Sequence, residues 1–168
     1  MNEGFIKLLE QYLKEELPGT KAHRLLAPSN RELSNYQFIK EGKEKAGSVL
    51  ILLYPSNGEI FIPLMQRPDY QGIHSGQISF PGGKKEEIDQ DLIATALRET
   101  MEEIGVLEKD VTVLGTLTEM YIPASNFKVL PVVGYLNSHP YFVPDQYEVV
   151  KIIEASIKGL LNEANIKN

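Results

Sequence analysis

Residues 79–106 read SFPGGKKEEIDQDLIATALRETMEEIGV, and this stretch decides the fold. A Gly-rich turn at Pro81 to Gly83 leads through a charged loop into a helix from about Asp91 to Ile104, where Gly105 supplies a C-terminal stop. Ile93, Leu97, Met101 and Ile104 form an apolar stripe along it. Glu99, Glu102 and Glu103 are spaced i, i+3 and i+4, so at about 100° per residue they share another face. The stripe anchors the helix and leaves three carboxylates on an exposed or cleft-lining surface. Like charges this close repel, raising carboxylate pKa values and destabilising the helix unless a counter-charge is present. Mg²⁺ or Mn²⁺ would supply one. Arg98, beside Glu99 and four residues before Glu102, is placed to orient a carboxylate through a forked hydrogen bond. An isolated Glu pair is ordinarily a solvated face and an unplaced PGG only a turn. Here the two are joined.

Outward from this segment, strands and helices alternate. Phe5, Leu8, Leu9, Tyr12 and Leu13 recur at helical spacing until Pro18 and Gly19 stop the pattern. Residues 22–47 are mostly polar and read as an arm or long connection. Two apolar runs, SVLILLY and EIFIPLMQR, flank the turn residues Ser56, Asn57 and Gly58 as a β-hairpin would, and Pro63 implies an edge or a bulge in the second strand. Downstream, VTVLGTL, KVLPVVGYL and EVVKIIE read as strands and SIKGLLNEA as a terminal helix. Such a mixture implies an α/β or α+β layered sandwich, and 168 residues without internal repeats fit a single domain over 1–168.

Composition narrows the chemistry. Seventeen Lys plus Arg against 23 Asp plus Glu gives a formal charge of -6, which disfavours nucleic acid and anionic membranes as partners. An anionic substrate then needs a cation to mediate its binding. With no Cys, thiolate metal sites and Cys nucleophiles are excluded, so any metal is held by oxygen or His ligands. No secretory leader or long apolar run is visible, and a cytoplasmic location is the expectation.

The segment 79–106 resembles the Nudix hydrolase box. Arg98, Glu99, Glu102, Glu103, Gly105 and Val106 match its helical half, and the Gly pair stands upstream. Asp89 replaces the box's Glu, eight residues rather than seven separate it from Arg98, and Thr100 replaces an apolar residue. The extra residue lengthens the loop before the helix and leaves the spacing of the three Glu unchanged. Arg67 and HSGQISFPGG further resemble the coenzyme A diphosphatase-like branch: Leu64, Arg67, Gly76 and Phe80 to Gly83 fit its pattern, while Pro63, Met65, Pro68 and Gly72 depart from it. Gly72 stands where that branch has a second Arg. The resemblance runs from about Ser48 through Glu154, and little room remains after it for the further strand and closing helix usual in the family. Either the branch is short or the chain ends early.

The resemblance implies a Nudix-type αβα sandwich with a mixed β-sheet, whose loop-helix-loop uses Mg²⁺ or Mn²⁺ to hydrolyse the diphosphate of a nucleotide-like small molecule. It implies Glu99 and Glu103 as metal ligands, with Glu102 sharing that role or ordering the attacking water, and Arg98 orienting a carboxylate. Arg67, His74, Gly82, Gly83 and Lys84 are the candidates for substrate binding, with His74, Lys84 or Lys85 compensating for Gly72. Glu119, Glu148 and Ser125 stay outside this main set, a surface role being the better expectation for the two acids. Coenzyme A or an acyl-coenzyme A is the expected substrate. The rivals are another Nudix substrate (ADP-ribose, a nucleotide sugar or a modified nucleoside triphosphate) and a non-catalytic binding module, which typically loses box carboxylates that are intact here. A homodimer is compatible with all three.

Overall fold

The computed structural model describes residues 2–25, 44–71 and 74–165. Most of the arm read from the sequence, 26–43, and Gly72 lie outside the described residues. The arm's start is helical, in α2 (Thr20–Leu25), and its end is already strand, in β1 (Lys45–Ser56). β1 organises the fold because both of its faces are apolar. Leu50, Leu52 and Tyr54 face one core and Leu53 the other, as the two-residue period of a strand requires. The turn after it places Asn57 at φ 49° and Gly58 at φ 82°, a two-residue hairpin into β2 (Glu59–Gln66).

The sheet is mixed and open. Within the carboxylate segment, β3 (Ile78–Ser79) pairs antiparallel with β2 and β4 (Gly82–Lys84) antiparallel with β1. β5 (Thr112–Thr116) and β6 (Met120–Ile122) both pair antiparallel with β7 (Phe127–Tyr135), which runs parallel to β1 from Lys45↔Phe127 to Leu53↔Tyr135. β8 (Lys151–Ser156) lies along β2. Pro63 falls between the pairing of β2 with β1, ending at Phe61, and its pairing with β3, starting at Met65, so its missing N–H interrupts no ladder on that side. α3 (Leu92–Ile104) covers one face through Ala96 and Ile104, and α1 (Asn2–Tyr12) covers the other through Ile6. This is the αβα sandwich that the sequence implied. The terminal helix is the short α4 (Ile157–Leu160). No described helix is long and apolar enough to cross a membrane.

α3 begins and ends where the sequence placed it. Asp91 caps it by accepting the Ala94 N–H at 2.8 Å, and Gly105, at φ 76°, returns its N–H to the Met101 carbonyl. Its inner face differs from the expected stripe. Met101 is turned outward, while Thr95, Ala96, Thr100, Glu103 and Ile104 are buried and Ile93 and Leu97 pack at the side. With Ala96 as reference, Thr100 lies about 40° and Ile104 about 80° around the axis, Glu103 about 20° the other way, and Met101 about 140° off. Glu103 therefore points inward. Thr100 is tolerated in the core because its hydroxyl donates to the Ala96 carbonyl at 2.7 Å.

β8 starts at Lys151 rather than Glu148, because Asp145 accepts the N–H groups of Tyr147 and Glu148 and holds 145–148 as a turn. β3, β4 and β6 have two or three residues each, too few for any periodicity to show. Because Asp91 contributes to the helix start and to no buried contact, Asp91→Ala should cost about 1 kcal/mol. The urea midpoint should fall while the m-value stays unchanged.

Candidate active site

Each carboxylate of α3 has its own environment, set by its angle on the helix. Glu103 is buried, Glu99 is 15% exposed at the side chain and Glu102 is 52% exposed. Glu103 accepts the Gly82 N–H at 2.8 Å and faces the Arg67 guanidinium at 3.3 Å. Burial pushes its pKa up to about 8, against the lowering effect of the Gly82 N–H and Arg67, and Glu99 and Glu148 add to the rise. The Glu99 carboxyl lies so close over Gly83 that a Cβ there would come within 2.4 Å of it. Burial raises the Glu99 pKa as well, partly offset by Arg98.

Arg98 is the hub of the site. It is buried, and its Nε and Nη2 reach both oxygens of Asp89 at 2.8 and 3.0 Å. Nη2 also meets Glu99 at 2.9 Å and the Lys84 carbonyl at 3.2 Å, while Nη1 meets Glu102 at 2.8 Å. Asp89 is itself fixed by the Glu86 N–H and the Thr95 hydroxyl. The Arg98 guanidinium holds its carboxyl well below the usual range.

Across β4, a cleft of about 640 Å³ opens on the sheet face away from α3. Val49, Phe80, Ile122, Phe127 and Val129 give it an apolar lining. Arg67, His74 and Lys84 also line it, and no Asp or Glu does among the described residues. Gly82 and Gly83 stand between cleft and carboxylates, and a Cβ on Gly82, at φ 149°, would come within 2.3 Å of the Ser48 carbonyl oxygen. Only glycine lets β4 lie this close to β1 while Glu103 reaches its N–H.

A family model described as the NUDIX domain matches residues 44–159, most of the chain. The chain belongs to the Nudix hydrolase family. It is accordingly an enzyme of the kind that acts on pyrophosphate bonds. Nudix hydrolase 15, mitochondrial, of Arabidopsis thaliana is 36% identical over 126 residues, covering 73% of this chain and 44% of that protein. A Yersinia pestis Nudix hydrolase, NudL, is 32% identical over 152 residues, covering 90% of this chain and 74% of its own. Among solved structures, a C. elegans Ap4A hydrolase complex superposes with TM-score 0.57 at 18% identity, covering 73% of this chain and 87% of that one. The NUDIX domain of Shewanella oneidensis NrtR, complexed with ADP ribose, gives 0.55 at 18%, covering 77% and 86%. These likenesses establish the fold.

Within the Nudix motif the structure brings Arg98, Glu99, Glu102, Glu103, Gly82 and Gly83 together, and Arg67 joins them through Glu103. His74, its Nδ1 3.0 Å from the Gln77 side-chain oxygen, and Lys84 stand on the cleft side. One expectation changes. Glu103 is a core-facing group, not an exposed or cleft-lining carboxylate, so its replacement also disturbs packing. Arg67 lines the cleft while engaged with Glu103 and the Gly82 carbonyl. Glu148, read as a surface residue, lies near enough to raise the pKa of Glu99 and Glu103. Only the fold shows this, since the chain returns to the site after β7. Glu119 pairs instead with Lys128.

Nudix hydrolases generally use divalent metal ions, and the donor set fits one. Asp89, Glu99, Glu102, Glu103 and Glu148 gather around two guanidinium groups, which leaves a local excess of negative charge. No three acidic or His side chains converge as a preformed cluster among the described residues, because Arg98 and Gly82 already hold the carboxylates. Glu99 and Glu102 each keep one oxygen outside these bonds.

The Asp89–Arg98 pair yields a prediction. A carboxyl with a lowered native pKa adds stability above its unfolded value of 3.8 that is lost as pH falls toward the native one. Asp89→Asn leaves Arg98 without its main counter-charge and should cost about 3 kcal/mol at neutral pH. Denaturation curves from pH 7 down to 3 should show the variant's deficit shrinking as the wild type loses the same contribution. An undiminished midpoint at pH 7 would contradict the hub role of Arg98.

Proposed function

We propose that this Nudix hydrolase cleaves the internal diphosphate of coenzyme A or an acyl-coenzyme A, releasing 3′-phospho-AMP and 4′-phosphopantetheine or its acyl form. The reading is supported chiefly by one juxtaposition: a cleft with cationic walls and no acid among the described residues opens across β4 from the carboxylate helix. A substrate lying over Gly82 and Gly83 brings its diphosphate beside Arg67, with Glu99 and Glu102 beyond Gly83. Arg67 and the HSGQISFPGG stretch of the coenzyme A branch border that position. We take the chain as one domain, to which the family match over most of its length lends support. A cytoplasmic location remains part of the same reading.

Bound Mg²⁺ or Mn²⁺ supplies the Lewis acidity that neutralises diphosphate oxygens as charge develops. Glu99 and Glu103 hold the ion, and Glu102, the most exposed of the three, shares it or orders the attacking water. Glu148 is a further carboxylate available for either task. Arg98 positions rather than reacts: it holds one oxygen each of Glu99 and Glu102 and leaves the other of each outside its bonds. Gly82 and Gly83 let the substrate's phosphates approach the backbone.

Product analysis with coenzyme A, ADP-ribose and dinucleotide polyphosphates, under Mg²⁺ and under Mn²⁺, tests the substrate. Coenzyme A should give 3′-phospho-AMP, and excess chelator should stop turnover. Much faster turnover of ADP-ribose overturns the coenzyme A reading and leaves the family assignment. Glu99→Gln, which removes a ligand by an isosteric change that opens no cavity, should lower kcat by about two orders of magnitude with little change in Tm.

Arg67→Ala removes the guanidinium nearest the diphosphate and should reduce kcat/KM by roughly 30- to 150-fold. Because it also takes a partner from Glu103, Tm must be measured alongside. A variant that is stable and kinetically normal would shift the phosphate contacts to Lys84 and Lys85.

A further inference from the structure

The sheet face under the cleft carries a feature that diphosphate cleavage does not require. Lys45, Gly47 and Val49 alternate on the cleft side of β1, opposite the face of Leu50 and Leu52 that packs on α3. Lys84 is the register partner of Gly47 and points to the same side, since its neighbour Gly83 turns toward Glu99. Lys45 and Lys84 are therefore diagonal neighbours, with backbones about 7–8 Å apart, and their long stems can bring both ammonium groups onto one anion. Phe127 pairs with Lys45 across β1 and β7, and the Lys45 ammonium stands 5.6 Å from its ring centroid. The ring lies close over Gly47, where a Cβ would come within 2.9 Å of it. The result is an aromatic surface beside two cations.

Neither ammonium has a carboxylate partner among the described residues, in a chain with 23 acidic residues and a net charge of -6. Two like charges side by side without a counter-ion repel, and an anion relieves that. The carboxylates that would serve the scissile diphosphate are on the other side of β4, so this pair answers to a different phosphate. A doubly charged phosphomonoester suits two ammonium groups, and a planar base suits the apolar lining of Val49, Ile122, Phe127 and Val129 beside them.

We propose that Lys45 and Lys84 form a phosphomonoester subsite on the cleft rim, with the nucleoside against the apolar cleft lining that Phe127 helps to form. The substrate class is thus a nucleotide that carries a ribose phosphate in addition to the diphosphate to be cut. This rests on the proposed diphosphatase reading, which it deepens by fixing the polarity of the substrate: the nucleotide end occupies the cleft and the other arm leaves past α3. Lys45 is the specificity-determining residue.

The test uses the full chain with Mg²⁺ and two simple nucleotides, adenosine 3′,5′-bisphosphate and AMP, whose affinities are read by calorimetry. Wild type should favour the bisphosphate by about tenfold. Lys45→Met, which keeps an apolar stem over Phe127, should abolish that preference, and Lys45→Arg should retain it. With coenzyme A and its 3′-dephospho form as substrates, the ratio of the two kcat/KM values should fall by the same factor in Lys45→Met. Equal affinity of wild type for both nucleotides overturns the subsite, as does an undiminished preference in Lys45→Met of unchanged Tm. If the nucleotides are discriminated through Lys45 while coenzyme A is not hydrolysed, the subsite stands and the coenzyme A reading falls.

Discussion

A buried guanidinium cannot shed its charge, and Arg98 imposes that constraint on everything around it. Its five donors must be met inside the protein, which calls for acceptors from several parts of the chain. Asp89 from the loop, the Lys84 carbonyl from β4, and Glu99 and Glu102 from α3 meet them. The loop is thereby tied to the helix, and the helix to the sheet. The same bonds that balance the charge also set the direction of two carboxylates, so fold stability and site geometry depend on one side chain. The extra residue between Asp89 and Arg98 is accommodated because the bidentate contact needs the carboxylate in place, whatever path joins the two.

The second constraint is steric. Glu103 reaches the core side of the helix and requires a donor there, which Gly82 provides from a strand pressed against β1. Any side chain at Gly82 meets β1, and any at Gly83 meets Glu99. Two adjacent glycines with opposite neighbours thus make β4 a thin partition, with carboxylates behind it and a cationic cleft before it. A ligand spanning that partition would meet both kinds of charge at once.

Sequence alone showed the parts whose signals are local. The caps of α3, the Asn57-Gly58 hairpin and the i, i+3, i+4 acids all follow from a few consecutive residues. Glu103 is not legible in this way, because side-chain polarity places Met101 inward and the acid on an exposed or cleft-lining face, whereas the helix angle turns Glu103 and Thr100 to the core. β4 escaped notice because a strand of two glycines and a lysine has no side-chain pattern, only a backbone one. Glu148, and the approach of Lys45 to Phe127, depend on pairings between distant segments; no window of sequence contains both partners. The start of β8 was displaced by Asp145, whose turn competed with a β-branched run.

The distribution of charge explains how an acidic protein can receive an acidic ligand. Uniformly spread, a net charge of -6 would repel a polyphosphate at every approach. Here the acids of the site are gathered behind β4 and held by Arg98 and Arg67, while the cleft wall presents cations and none of the 23 acidic residues among those described. Burial chiefly, with neighbouring carboxylates adding to it, raises the pKa values of Glu99 and Glu103, so the strain of gathering these acids is borne behind β4. A dication bound there would lower those pKa values and offset most of the local excess of negative charge. Binding of the cation and of the anionic substrate are therefore coupled through the same carboxylates, each making the other more favourable.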